Sequence, residues 1–350
     1  MAENKHALVI GGRGVIGRTL VQELTRAGGW TVTAVSRQPP GFETNARFIS
    51  VDLLDAAAAK RALAELIDVT HLFYAGLHGG LASENVEGNL ALLVNAVDAV
   101  EPVAEGLRHI SLQEGGKYYG RHLGAFVTPA REDDARHLPP NFYYDQQDFL
   151  TARQAGKAWS WSAVRPELVC GPARGVPLNL MLLIGVYAAI CKAYGLPLRF
   201  PGSPRAYEVL GQVTDAGLLA RATIWAAISP AAENQPFNLT NADCFRWCNV
   251  WPKLAAFFDM PWAPPQRISL ADFMADKGAV WDRLVREHDL QPMPFSEAGD
   301  WAFADWVFAT DWDYVMSDVR RIQAGFTEVV DSEDMFLRLL GQFRADKVIP

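Results

Sequence analysis

A doubly wound parallel α/β sheet of the Rossmann type, with a smaller and mostly helical C-terminal lobe, is the fold the sequence predicts. Three observations carry it. Apolar strand-like runs alternate with helix-like runs through the first half, and a glycine-rich turn joins the first strand to the first helix. After Gly171 the alternation gives way to segments rich in proline, glycine and tryptophan. Strands apolar on both faces that alternate with helices form a parallel sheet covered on both sides.

HALVIGG (6–12) is a continuous apolar strand ending in glycine, and GRTLVQELTRAG (17–28) has helical periodicity that stops at Gly28 and Gly29. The β-branched WTVTAVSR (30–37) supplies a second strand and RFISVDL (47–53) a third. AAAAKRALAEL (56–66) is a helix of strong formers. The strand THLFYAG (70–76), the helix NLALLVNAVDAV (89–100) and the strand LRHISLQ (107–113) follow, and WSAVRPELVCG (161–171) reads as one further strand. LMLLIGVYAAIC (180–191) is the most apolar run; it falls short of the ~20 residues of a membrane span and reads as a buried helix. QPFNLTN (235–241) is expected to return to the sheet. Residues 1–175 are thus the expected nucleotide-binding domain, and 176–350 mainly a lobe over the sheet's C-terminal edge. Trp301, Phe303, Trp306 and Phe308 are expected as an apolar wall of that lobe, half of them core.

Half of the 350 residues are apolar and 21% charged, the balance of a folded enzyme. The net charge of -8 and the dispersed basic residues exclude a nucleic-acid surface, while an acidic total still permits a local cationic pocket. Cys244 and Cys248 are spaced by one helical turn, but nothing completes a zinc set; with Cys170 and Cys191 they are expected as buried or half-buried free thiols in a reducing compartment. No metal is expected. The polar lead runs straight into a strand, so no signal peptide fits and a cytoplasmic address is expected. A homodimer is left open.

GGRGVIG places Gly11, Gly14, Val15, Ile16 and Gly17 between the first strand and first helix. Glycines there serve a sharp turn, a close approach of backbone to a pyrophosphate, and helix-to-strand packing, while the helix N-terminus faces the phosphates. The second strand ends in Ser36 and Arg37 with no carboxylate, and Arg13 lies in the loop; a hydroxyl and guanidinium suit a 2′-phosphate, so the expected cofactor is NADPH/NADP+. Asp52 and Leu53 close the third strand beside the expected adenine. Tyr74, Ala75 and Gly76 close the fourth, and Gln113 the fifth, at the same edge.

NFYYDQQD (141–148) holds a tyrosine pair without the lysine four residues on that a short-chain dehydrogenase uses: Gln147 and Asp148 stand there instead. Lys117, in EGGKYYG just past the fifth strand, lies at the edge where open α/β sheets bind ligands. Lone histidines in the loops, His78 and His122, are expected to be solvated, and Tyr144 to pack.

In GGRGVIG, VTHLFYAG, HISLQEGGKYYG, NFYYDQQD, WSAVRPELVCGP and PFNLTNADCFRW the chain resembles the progesterone 5β-reductase/iridoid synthase-like enzymes, an atypical short-chain dehydrogenase/reductase group that lacks the usual tyrosine–lysine spacing. The resemblance implies NADPH-dependent 1,4-reduction of an enone or enal, with Tyr143 and Lys117 as the catalytic pair and a small apolar substrate. The family's acidic position near the end of NFYYxxED is weakened here to Gln147-Asp148. Two other readings remain at this stage: a nucleotide-sugar epimerase or dehydratase on the extended plan, and a non-catalytic NADP-sensing protein.

Overall fold

The computed structural model describes residues 5–79 and 85–350; the polar lead, 1–4, lies outside them. Six strands come from the first half: β1 (Lys5–Ile10), β2 (Trp30–Ser36), β3 (Arg47–Ser50), β4 (His71–Tyr74), β5 (His109–Gln113) and β6 (Ser160–Pro166). A returning strand, Gln235–Leu239, pairs with β6 in parallel, giving the order returning strand–β6–β5–β4–β1–β2–β3, parallel throughout. The doubly wound sheet expected from the alternation is therefore present. The chain runs outward from β1 to β3 and then crosses back to β4, and the crevice between β1 and β4 is the switch point where such sheets bind ligands.

Strand periodicity decides which helix meets which face. Ala7 and Val9 of β1 pack with Phe73, Val32 and Ala34 under α1 (Val15–Ala27) and the helix Ala216–Ile228. Leu8 and Ile10 point the other way, with Val35, Leu72, Tyr74 and Leu112, toward α2 (Ala56–Leu63), α3 (Val86–Val100) and α4 (Phe142–Gln154). At the opposite edge from the crevice, His71 and His109 stand side by side on β4 and β5. Both are buried: His71 bonds Thr70 Oγ1 at 2.8 Å, and His109 bonds Ser160 and Ser162 at 2.9 and 2.8 Å.

Several boundaries differ from the reading of the sequence. The third strand stops at Ser50, not Leu53, although Val51 N–H still reaches Ser36 O at 3.2 Å. The run 161–171 is not one strand: β6 ends at Pro166, Leu168 adopts φ 24, and Val169–Cys170 pairs with Thr214–Asp215 in a separate two-stranded sheet. The break turns Glu167 to an ion pair with Arg121. The thiols are free, but Cys244 lies outside the helix Trp247–Phe257 and is exposed, so it shares no helical turn with Cys248.

The lobe has its own apolar core, larger than any in the sheet. Its centre is α5 (Leu180–Ala193), buried from Leu180 to Cys191, with Phe200, Trp247, Trp251, Phe308 and Phe336 around it. Phe200 meets Trp251 at 5.1 Å and Phe308 at 5.3 Å, edge to face, the arrangement the ring quadrupoles favour. Among the described residues no helix is long and apolar enough to cross a membrane.

Candidate active site

Two adjoining cavities follow the C-terminal edge of the sheet and share Gly14, Ala75, Leu77, Val176 and Pro177, so they form one cleft. The outer one, about 450 Å³, is lined by Gly11, Arg13, Gly14, Ser36, Arg37, Asp52, Leu53, Ala75 and Gly76. Gly11 has φ 79, and a Cβ there would collide with Ala75 O, so only glycine fits this turn. Gly14 is the N-cap of α1 and offers no side-chain bond to the helix N–H groups; a Cβ on it would approach nothing nearer than Gly11 O at 3.5 Å. Backbone at the helix N-terminus is thus open to the cleft, as a pyrophosphate needs. The residues fit a nicotinamide dinucleotide, and Arg13 and Arg37 line the outer cavity.

The inner cavity, about 630 Å³, is lined by Gly14, Val15 and Ile16 on one side and by Lys117, Tyr143, Phe303 and Trp306 on the others. Lys117 sits on a 3₁₀ turn, Gly116–Tyr119, immediately after β5, and is buried. Tyr143 is in the first turn of α4 and half-buried. A Cβ on Gly115 would lie 3.4 Å from the Tyr143 hydroxyl, so the phenol rests over the glycine that leads into the lysine's turn.

What joins the two segments is Asn141, the N-cap of α4, which is wholly buried. Its Oδ1 accepts from Tyr143 N–H at 3.1 Å, and its Nδ2 donates to Lys117 O at 2.8 Å. Tyr144 adds a second tie, donating its hydroxyl to Tyr118 O at 2.5 Å, and is packing as expected. The Lys117 ammonium lies 5.1 Å over the Phe142 ring. Neither tie was legible from spacing, although an asparagine directly before an aromatic helix start is an N-cap signal. Serine is an equally good cap but cannot reach Lys117 O. Asn141→Ser is therefore expected to cost about 1 kcal/mol of stability or less yet lower turnover about tenfold through misplacement; unfolding curves set beside steady-state rates check this, and an unchanged rate removes Asn141 from the site.

A buried network stands behind the pair. Arg165 Nε donates to Glu114 at 2.6 Å, and its Nη atoms reach Tyr119 Oη at 3.0 Å, Glu132 O at 3.2 Å and Gln147 Oε1 at 2.9 Å. Burial pushes the Glu114 carboxyl upward and the Arg165 charge opposes it. Gln147, at the weakened acidic position, therefore ties α4 to β6, while Asp148 holds Arg136 at the surface.

Two expected positions stand elsewhere. Tyr74 lines neither cavity: it is buried on the α3 face of the sheet, because strand alternation turns it away from the cleft. Gln113 points to the opposite face, where its Nε2 donates to Thr223 Oγ1 at 3.0 Å. A Cβ on Gly17 would collide with Gly11 O, so this glycine allows the close helix packing expected of the last glycine of the loop. Of the four aromatic wall residues, Phe303 and Trp306 face the cavity, Trp301 stacks on Phe295, and Phe308 is core. His122 is half-buried against the His137 ring, and His78 holds Asn89 through its backbone. A larger groove of about 820 Å³ lies along α1 and contains none of the expected residues; its Arg26, Arg221 and Arg338 are each ion-paired.

A doubly wound sheet with a dinucleotide cleft at its switch point, and a lysine and tyrosine at the inner end, defines a nicotinamide-dependent oxidoreductase of the short-chain dehydrogenase plan. The chain belongs to the PRISE-like Rossmann-fold family, whose model matches residues 49–350. It is 36% identical over 365 residues to (S)-8-oxocitronellyl enol synthase ISY1 of Nepeta cataria, covering 98% of this chain and 93% of that protein. It is 35% identical over 370 residues to 3-oxo-Delta(4,5)-steroid 5-beta-reductase of Arabidopsis thaliana, with the same coverage of both. Among solved structures, UDP-glucose 4-epimerase of Thermotoga maritima is similar at a TM-score of 0.70 and 16% identity, over 97% of this chain and 99% of that one. The corresponding Thermus thermophilus epimerase, in complex with NAD, has a TM-score of 0.67 and 18% identity over 97% and 99%. At such identities the likeness is one of fold.

Proposed function

We propose that this protein reduces the activated C=C bond of an enone or enal, with NADPH as the reductant. The observation that carries the reading is the meeting of Lys117 and Tyr143 on one mostly apolar cavity that continues into the glycine-loop cleft. The family relatives named for steroid 5-beta-reduction and enol synthesis support the substrate class. Arg37, Arg13 and Ser36 at the outer end support a 2′-phosphate, since no carboxylate closes β2 to hold a free 2′-hydroxyl.

When bound, the reduced nicotinamide supplies a hydride to the β-carbon of the substrate. Negative charge then collects on the substrate's carbonyl oxygen, and the Tyr143 hydroxyl donates a hydrogen bond to it. A donor aimed there in advance lowers the barrier because it needs no reorganisation as charge appears. The Lys117 ammonium adds a positive charge beside that oxygen, held on a turn that Asn141 fixes against the tyrosine's helix. Phe303 and Trp306 cover the apolar body of the substrate and exclude water, which strengthens both electrostatic terms. The α-carbon takes its proton from solvent.

Loss of the reduced-nicotinamide absorbance is expected with 2-cyclohexen-1-one and with small enals, faster with NADPH than with NADH. Binding of NADPH without oxidation across such a panel is the result of a sensor protein. Interconversion of a sugar nucleotide with no net cofactor consumption is the result of an epimerase. Either outcome ends this reading.

A further inference from the structure

The Asn141 amide that joins Lys117 to Tyr143 has a third partner. Because Asn141 is wholly buried, each of its polar atoms must be satisfied within the protein. Oδ1 takes the Tyr143 N–H, and one Nδ2 hydrogen goes to Lys117 O. Nδ2 also meets Nε2 of His137, at 3.3 Å. His137 is half-buried in the segment that leads into α4, and lines neither cavity of the cleft. Its backbone N–H donates to Tyr144 Oη at 3.2 Å, and its ring rests against those of His122 and Tyr144 at 5.6 and 5.5 Å. A Cβ on Gly120 would lie 3.1 Å from its Cδ2, so the turn that carries Lys117 closes directly on the imidazole.

The partners decide which ring nitrogen carries the proton. Nδ1 lies 2.6 Å from Leu138 O, a carbonyl that only accepts, so the proton is on Nδ1 and Nε2 presents a lone pair. That lone pair receives the second Asn141 hydrogen. Lys117 O is also 3.3 Å from Nε2, but two acceptors make no bond with each other. Turned over, the amide would set its oxygen against both acceptors and its NH₂ against the Tyr143 N–H. The lone pair therefore holds the amide in one sense. A second proton on the ring reverses this, because Nε2–H opposes the amide N–H and competes with it for Lys117 O.

We infer that His137, as the neutral Nδ1–H tautomer, is a positioning residue for the reduction. Its Nε2 fixes the Asn141 amide and, through it, the Lys117 turn against the helix of Tyr143. This role rests on the enone-reductase reading. It makes turnover sensitive to acid through a side chain outside the cleft. The other titratable and charged groups around the ring are His122 beyond the turn, Lys117 on it, Tyr144 on α4, and Arg136 held by Asp148.

Turnover of 2-cyclohexen-1-one by two variants tests the role. His137→Gln sets a carbonyl oxygen near the place of Nε2 and takes up no proton; His137→Phe keeps a ring in the same seat without an acceptor. His137→Phe is expected to lower kcat roughly tenfold with KM for NADPH unchanged, and His137→Gln to keep most of the rate. In an Asn141→Ser background His137→Phe is expected to cost nothing further, because the amide it would release is gone. From about pH 8 to about pH 5, the span over which histidine side chains change charge, kcat of the unsubstituted enzyme is expected to fall relative to that of His137→Gln. Every other group around the ring is present in both proteins. An unchanged rate in His137→Phe, a His137→Gln as slow as His137→Phe, full additivity with Asn141→Ser, or a ratio independent of pH overturns the positioning role and leaves the reductase reading intact. The ratio needs only the glutamine variant, so it decides the matter even where His137→Phe folds poorly. NADPH left unoxidised by the unsubstituted enzyme with 2-cyclohexen-1-one and small enals overturns the reductase reading itself.

Discussion

Tyr143→Phe is expected to lower turnover of 2-cyclohexen-1-one by 10²–10³-fold, about 2.7–4 kcal/mol of barrier, the loss typical when one oxyanion donor is removed. The change deletes one oxygen and keeps the ring, so the packing of Phe142 against it at 4.5 Å survives. It also keeps the N–H that Asn141 caps, because that bond is to backbone. NADPH affinity is expected to stay within about twofold, since the glycine loop and the arginines at the outer cavity are untouched. Fluorescence titration of NADPH and stopped-flow measurement of its oxidation separate the two quantities. A variant that turns over at the original rate excludes Tyr143 as the donor, and one that has lost NADPH binding shows that the tyrosine acts through the cofactor instead.

Acid is expected to destabilise the fold by an unusual route for a chain with 40 acidic residues. Burial, and then the charges of Lys5 and Arg108, lower His71 to about 4. Burial, and then His71 itself, lower His109 to about 3. The unfolded chain takes up these protons near 6.5, while the native sheet refuses them. Stability from this source is therefore complete above pH 6.5 and falls as the pH drops below it, because the unfolded state binds more protons. Between pH 7 and pH 5 the two histidines together should cost about 4 kcal/mol. Denaturant unfolding of the parent and of His71→Gln/His109→Gln at both pH values isolates the effect, since every other titrating group cancels in the difference. The double variant is expected to lose that much less on acidification. Equal losses in both proteins would mean that the histidines are protonated within the fold.

How the site could be read from sequence differs residue by residue. The glycine loop was legible because its chemistry is local: strand, turn and helix N-terminus occupy consecutive residues. Ser36 and Arg37 line the outer cavity, as their place at the end of β2 predicts. Tyr74 and Gln113 were misplaced although they too end strands. A strand end shows which edge a residue occupies, whereas the pleat decides which face its side chain takes, and both turn into helices rather than into the cleft. The break after Pro166 was hidden because the apolar run continues through it, and the ion pair that diverts Glu167 reaches 46 residues back along the chain.

The alternation of strands and helices from β1 to β5, the position of the glycine-rich loop and the placing of Lys117 and Tyr143 in recognisable segments were legible in the sequence alone. Each depends on periodicity or on contiguous residues, which the chain carries wherever it is folded. The tie through Asn141, the network on Arg165 and the ion pair of Arg121 with Glu167 were decided only in the tertiary structure. These are contacts across 24, 51 and 46 residues. Their geometry is set by how the crossovers stack beside β5 and β6, a quantity that no local pattern encodes.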